Sequence, residues 1–315
     1  MSGGVLLQAV ISGLSVGAVY GLVGLGFTLV WSLTRVLALA HGDVVVGAVL
    51  IAVLAVVGRT PVASSPGVGR SLLLVLLTLA AGVLLAVASY AVAVRPFLDR
   101  THRSADVLGW VAGTVTAGLV IRTALGLALP AAAYAVPDPL HLDAITTSGV
   151  VDLPGDATVT VRSFAVFGVA VVIAVAVDWF IRRSRLGRGM RAVADDVDSA
   201  ALCGVNVERV VVAAFMIAGL LAAVAALLDS PGHTVAVDSG ALLGLAGAAA
   251  ALLGGLGSPR GALLGGLALG VAQQLVASST HLGASWATTL PLAVLVAVVA
   301  VRPEGLGARR QLAVE

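Results

Sequence analysis

The sequence predicts an all-α integral membrane protein, a polytopic helical bundle of about 8–10 transmembrane helices. Three observations predict it. Apolar residues make up 59% of the 315-residue chain and charged residues only 11%. Mean hydropathy is +1.09. Long apolar runs recur from end to end. A soluble domain of this length has too little interior to hide so much apolar surface. Lipid suits it, and spanning helices satisfy the backbone there. The 38 glycines suit close helix packing in lipid.

At about 20 residues per crossing, spans fall near 5–30, 37–57, 71–94, 106–129, 163–181, 210–228, 241–257, 261–278 and 285–301. The first run has no basic residue before Arg35. It lacks the charged leader of a signal peptide and reads as a retained span. The second opens on His41-Gly42-Asp43, which predicts a broken or short helix. The seventh and eighth are parted only by Gly257-Ser258-Pro259-Arg260-Gly261, a tight turn or the tip of a re-entrant pair. The connection 130–162 carries Asp138, Asp143, Asp152, Asp156 and four prolines. It reads as an extracytoplasmic loop with a short hairpin over 150–162. No separate soluble domain is present, so 1–315 reads as one transmembrane domain.

Arginine sets the orientation. There is no lysine, so all 18 basic residues are arginine. With 182–209 placed in the cytoplasm and nine spans threaded, fourteen lie inside: Arg35, Arg95, Arg100, Arg103, Arg182, Arg183, Arg185, Arg188, Arg191, Arg209, Arg260, Arg302, Arg309 and Arg310. Three (Arg59, Arg70, Arg162) lie outside, and Arg122 falls within a span. The N-terminus is then outside and the C-terminus cytoplasmic.

Several chemistries are excluded. Without lysine there is no Walker A loop and no Schiff base. Cys203 is the single cysteine, so an intrachain disulfide or a cysteine-based metal site is ruled out. The five histidines lack paired zinc-ligand spacing. Ser and His residues form no protease arrangement. No catalytic residue, metal or chain-bound cofactor is expected, and the chain is not read as an enzyme.

The stretch Arg182 to Val210 is the one long segment rich in both signs of charge. Ala192 to Leu202 fits a short amphipathic helix, with Val193, Val197, Ala200 and Ala201 on one side and a stop at Gly204-Val205-Asn206. It is either a positive-inside anchor with a solvated helix or a docking helix for a soluble partner. His41 and Asp43 either line a translocation path or cap a broken helix. The glycines around 254–266 favour close backbone packing over phosphate binding. Arg122 is either a pathway charge or a snorkelling one. Asp178 sits one turn before Arg182, spacing that suits an ion pair. Asp229, His233 and Asp238 fall in a short outside loop and are candidates for contact with a delivery protein.

Three blocks together resemble the permease family of branched-chain amino acid ABC importers, the Liv type. They are Tyr20 to Asp43; the cassette, with Ser184-Arg185-Leu186-Gly187-Arg188, Arg191 to Asp196 and Leu202 to Asn206; and Leu253 to Ala262, continuing to Gly265-Gly266. The resemblance implies an ABC-type permease subunit paired with a second, identical or different, permease. Two cytoplasmic ABC ATPases and an extracytoplasmic solute-binding protein complete the expected assembly. ATP and Mg would be used by the ATPase partner, and the setting would be the bacterial inner membrane. Arg185, Gly187, Arg188, Arg191, Ala194, Asp195, Leu202 and Gly204 would correspond to the coupling segment. His41, Gly42, Asp43, Gly254, Gly255 and Gly257 would lie on the translocation path. The chain departs from the family pattern at Ala38-Leu39, and at Ala246 and Ala248, where many relatives have a lysine and an aromatic. Two rivals are a sugar-type ABC permease and an ATPase-independent secondary transporter. The latter is disfavoured by spans almost devoid of acids.

Overall fold

The structure, a computed structural model, describes residues 3–58, 67–95, 106–129, 133–138, 150–153, 157–279 and 283–301. Arg59, Arg100, Arg103, Asp143, Asp156, Arg302, Arg309 and Arg310 therefore lie outside the described residues.

Each apolar run of the sequence becomes a helix. In chain order these are α1 (Gly3–Thr34), α2 (His41–Val56), α3 (Val68–Ala93), α4 (Asp106–Ala128) and α5 (Val161–Arg183). The charged cassette follows as α6 (Arg185–Asp195) and α7 (Val197–Leu202). Then come α8 (Val207–Asp229), α9 (Ser239–Gly254), α10 (Pro259–Ala277) and α11 (Gly283–Val301). Among the described residues, α1, α3, α5, α8 and the 111–128 part of α4 are long and apolar enough to cross a membrane. α9 and α10 qualify only as a pair, bent by 118° at their junction. The sixteen residues of α2 reach about 24 Å, short of a hydrocarbon core of about 30 Å. The nine expected runs are thus all helical, but not all are full crossings.

The fold is not purely helical. Strands β2 (Val150–Leu153) and β3 (Ala157–Thr160) pair antiparallel as the expected hairpin. A second antiparallel pair, β1 (Ala133–Ala135) with β4 (Thr234–Ala236), joins segments a hundred residues apart. Neither strand stood out in the sequence, because each has only three residues.

Helix contact in lipid cannot rely on the hydrophobic effect, since tails are as apolar as leucine; small residues let backbones approach instead. The seam between α1 and α10 is built this way. A Cβ on Gly13 would stand 2.6 Å from the Val271 Cα, and one on Gly17 2.7 Å from the Leu267 Cα. The α3–α8 contact repeats the device at Gly82 and Gly219. The α9–α10 turn uses glycine differently. Gly255 and Gly257 sit at φ 88° and 90°, which only glycine adopts without strain.

Gly17→Ala should lower the thermal unfolding midpoint in detergent, because a methyl group there meets backbone and overpacking costs about 1–3 kcal/mol. Gly168→Ala, where a Cβ meets nothing within 4 Å, should leave the midpoint unchanged or raise it. Equal midpoints for the two variants would remove the seam from this account.

Candidate functional site

The cassette is folded and anchored. Ser184 caps α6 by accepting from the Gly187 N–H at 2.9 Å. Gly187, Met190 and Val193 turn inward, and Met190 and Val193 share a core with Ala200, Val210, Val211, Ala214 and Phe215. The expected helix 192–202 is broken. Asp196 is extended (φ −155°) and ends α6, and its carboxylate starts α7 by accepting from the Ser199 N–H at 2.6 Å. That hydrogen bond holds the Asp196 pKa below its ordinary value. The break turns Val197 (45% exposed) outward, with Ala201 exposed beside it; only Val193 and Ala200 of the expected apolar side are buried. Gly204 at φ 83° is the expected stop, and Asn206 caps α8 through the Arg209 N–H at 2.9 Å.

The arginines of this end divide into two sets. Arg191 donates to the Ile181 carbonyl at 2.6 Å, closing the end of α5. Arg35 donates to the Ala194 carbonyl at 3.1 Å, and Arg95 lies 3.5 Å from Glu208. Asp178 takes Arg182 at 3.0 Å, as its spacing suggested, and also Arg260 at 3.1 Å from the α9–α10 turn. Arg185 and Arg188 form no such bond among the described residues, and both are exposed. They edge a hollow of about 450 Å³ with Leu186 and Arg209. Leu202 is 90% exposed and Asp195 and Gly204 are exposed. Of the residues expected in the coupling segment, Arg185, Arg188, Asp195, Leu202 and Gly204 are presented outward. Gly187 is packed against the Ile181 carbonyl, while Arg191, itself exposed, and the Ala194 carbonyl are tied by hydrogen bonds to neighbouring segments.

The second expected group separates in space. Gly42 and Asp43 lie at the start of α2 against Gly240 and Gly244 of α9. His41 packs edge-on to Phe27 with ring centres 5.0 Å apart. The N-cap of α2 is Ala40, which has no capping side chain, and Asp43 sits in the first turn, where a carboxylate meets the helix N-terminus as expected. The Asp43 carboxylate receives both Nε (3.2 Å) and a terminal nitrogen (2.8 Å) of Arg122. Arg122 is therefore paired with Asp43. Gly254 packs on Gly261, away from His41, while Gly257 edges an inner cavity of about 520 Å³ beside Asp178 and Arg191.

Sequence reasoning missed a cavity of about 310 Å³ at the other end of the bundle. Tyr20 of α1, Asp229 at the end of α8 and Gln273 of α10 supply its polar wall, and Val45 and Leu243 part of its aliphatic one. Asp229 was assigned to an outer loop; it faces this cavity and meets His233 at 3.4 Å. Behind it, Arg162 is engaged by the Leu228 carbonyl at 2.9 Å and Asp138 at 3.6 Å. The signal available in the sequence was the presence of Tyr20, Asp229 and Gln273 in apolar runs. Among the described residues no group of three or more His, Cys, Asp or Glu is placed to hold a metal ion.

The family described as branched-chain amino acid transport system, permease component, matches residues 9–299. The high-affinity branched-chain amino acid transport system permease protein LivH of Salmonella typhimurium is 29% identical, over 97% of this chain and 96% of that protein. The corresponding BraD protein of Pseudomonas aeruginosa is also 29% identical, over 97% of both. The fructose import permease protein FrcC of Rhizobium meliloti is 35% identical over 115 residues, 33% of this chain and 32% of that protein.

Two outcomes test the geometry. Arg122→Met should sharply reduce folded yield, because it strands the Asp43 charge; breaking a buried pair costs about 3–5 kcal/mol. Adding Asp43→Asn should recover much of that yield, measured by size-exclusion chromatography of the extracted protein. Asp196→Ala should speed amide hydrogen exchange across Ser199–Leu202, and Asp196→Ser should not. Because the folded pKa is depressed, the capping contribution is present above the ordinary carboxylate pKa and is lost only as pH falls through the folded value. Exchange there should therefore be insensitive to the state of this group between pH 6 and 8, within about 0.3 log units after intrinsic-rate correction.

Proposed function

The chain belongs to the permease family of branched-chain amino acid transport systems, and from that premise we propose that it is the membrane-spanning subunit of an ATP-driven importer of a branched-chain or related amino acid. The match over residues 9–299 carries this reading. A sugar-type permease is the weaker alternative, since the fructose permease aligns with only a third of the chain. The chain is a multi-pass membrane protein, and its proposed setting is the bacterial inner membrane, N-terminus outside and C-terminus cytoplasmic.

The chain carries no lysine and so no Walker A loop of its own; the drive has to come from a partner. In the proposed assembly a second permease, two cytoplasmic ATPases and an extracytoplasmic solute-binding protein complete the machine, with ATP and Mg on the ATPases. The outward face of α6 and α7, with Arg185, Arg188 and Leu202, is the proposed docking surface. The struts Arg191 and Arg35 support the reading that force on this face reaches α5 and α1, because they link the cassette to those helices directly. α8 runs from the cassette core at Val210 to the cavity at Asp229. The mechanism is rigid-body switching between two access states.

Arg185→Glu with Arg188→Glu should abolish coupling while leaving insertion and folding intact, because neither side chain holds the cassette together. Uptake in proteoliposomes and ATP hydrolysis stimulated by the loaded binding protein should both fall by roughly an order of magnitude or more, the scale of lost charge complementarity at an interface. Wild-type uptake and stimulation in this variant would remove the docking surface. Arg191→Glu, by contrast, should lower thermal stability as well.

A further inference from the structure

The outer cavity contains an unsatisfied acceptor. Gln273 Oε1 is buried and has no hydrogen-bond partner, while the Gln273 side chain is already engaged with Tyr20. A lone carbonyl oxygen hidden from solvent is costly and calls for a donor. The Asp229 carboxylate lines the same cavity. Two cations stand near it: His233 at 3.4 Å from the half-exposed mouth, and Arg162, which donates to the Leu228 carbonyl at 2.9 Å and lies 3.6 Å from Asp138. Ser230, which also lines the cavity, donates its own proton to the Ala226 carbonyl at 2.5 Å. The polar side of the wall therefore holds two acceptors, the Asp229 carboxylate and Gln273 Oε1, among the hydroxyls of Tyr20, Ser239 and Thr288. The remaining wall is aliphatic, with Val45 and Leu243, and Ala246 adds a methyl group where a longer side chain would fill the space. The volume of about 310 Å³ lies at the small end of ligand sites, which run from about 300 to 1,000 Å³.

We propose that this cavity is a transit site for an aliphatic amino acid, its ammonium group held between the Asp229 carboxylate and Gln273 Oε1 and its side chain against Val45 and Leu243. An ammonium brings three donors and no acceptor, which is what a carboxylate beside an orphaned carbonyl requires. A hydroxylated solute without a positive charge would satisfy Gln273 but bring Asp229 no cation beyond His233 and Arg162. The inference rests on the permease reading above and narrows it to solutes that carry a free amine. It also places the first intramembrane contact at the outer end of α8, opposite the cassette.

The test uses the complete complex, reconstituted in proteoliposomes, with radiolabelled leucine as the probe. Asp229→Asn and Gln273→Leu should each raise the KM for uptake by roughly tenfold or more, the scale of a charge-assisted hydrogen bond. Asp229→Glu should recover part of the loss. A second measurement does not depend on either variant folding. In a Cys203→Ser background, Leu243→Cys should react with a small thiol reagent, and millimolar leucine should slow that reaction. 4-Methylpentanoate, which has the same side chain but no amine, should not slow it. Normal wild-type leucine uptake with unchanged KM in both variants would overturn the site. So would equal protection by leucine and 4-methylpentanoate. A wild-type complex that assembles but takes up no leucine would overturn the amino acid reading instead, and the thiol measurement would still decide the cavity.

Discussion

Close backbone contact between α1 and α10 is the constraint on which the rest of the molecule depends. In lipid, no bulk hydrophobic force draws two apolar helices together, so their association rests on how near their axes can come. Gly13, Gly17 and Gly21 on one helix meet Gly266 and Gly270 on the other. Each removes a side chain that would separate the pair. The same approach brings Tyr20 and Gln273, which flank the glycines, onto one cavity wall. A wider spacing would leave Gln273 facing lipid, where its amide would be more costly still. Small residues thus set both the stability of the bundle and the position of its polar groups.

Charge is handled by the same economy. Within the bundle the Asp43–Arg122 pair keeps two ionised groups at 2.8 Å, which offsets the penalty for taking them out of water. At the cassette end the arginines first serve the fold. Arg191, Arg35 and Arg260 close helix ends or bridge segments distant in sequence. A helix end left with uncovered carbonyls is unstable, and Arg191 covers that of α5. Only after those needs are met do Arg185 and Arg188 remain turned outward. The arginines of this end therefore fall into two kinds with different physical jobs, and net charge alone does not separate them.

The helices were legible because apolar run length is a strong signal, and the cassette because its polarity contrasts with everything around it. The hairpin formed by 150–153 and 157–160 could be read from the sequence of that loop. The β1–β4 pair could not, since three-residue strands joined across the chain leave no local period. The break at Asp196 was hidden for another reason. Val193, Val197, Ala200 and Ala201 fit a continuous amphipathic helix by spacing, but the Asp196 side chain captures the Ser199 N–H and restarts the helix. Arg191 and Arg188 are three residues apart in sequence and differ in role because only one reaches the Ile181 carbonyl. The cavity was illegible because its walls come from six separate helices, and nothing in a single sequence brings Tyr20, Asp229 and Gln273 together.

One element links the two ends. α8 begins at Val207 behind its cap Asn206, its first turns are buried in the cassette core with Val210, Val211, Ala214 and Phe215, and it ends at Asp229 in the cavity wall. Its 23 residues span about 34 Å. A helix buried along both halves does not absorb a displacement by bending or compressing, because the packing around it is close to crystalline density. A push on the cassette must then either move Asp229 or be opposed by the contacts that hold the far end, chiefly Arg162 on the Leu228 carbonyl. The molecule needs no mobile domain between its polar face and its cavity, because a single rigid helix already has a residue in each.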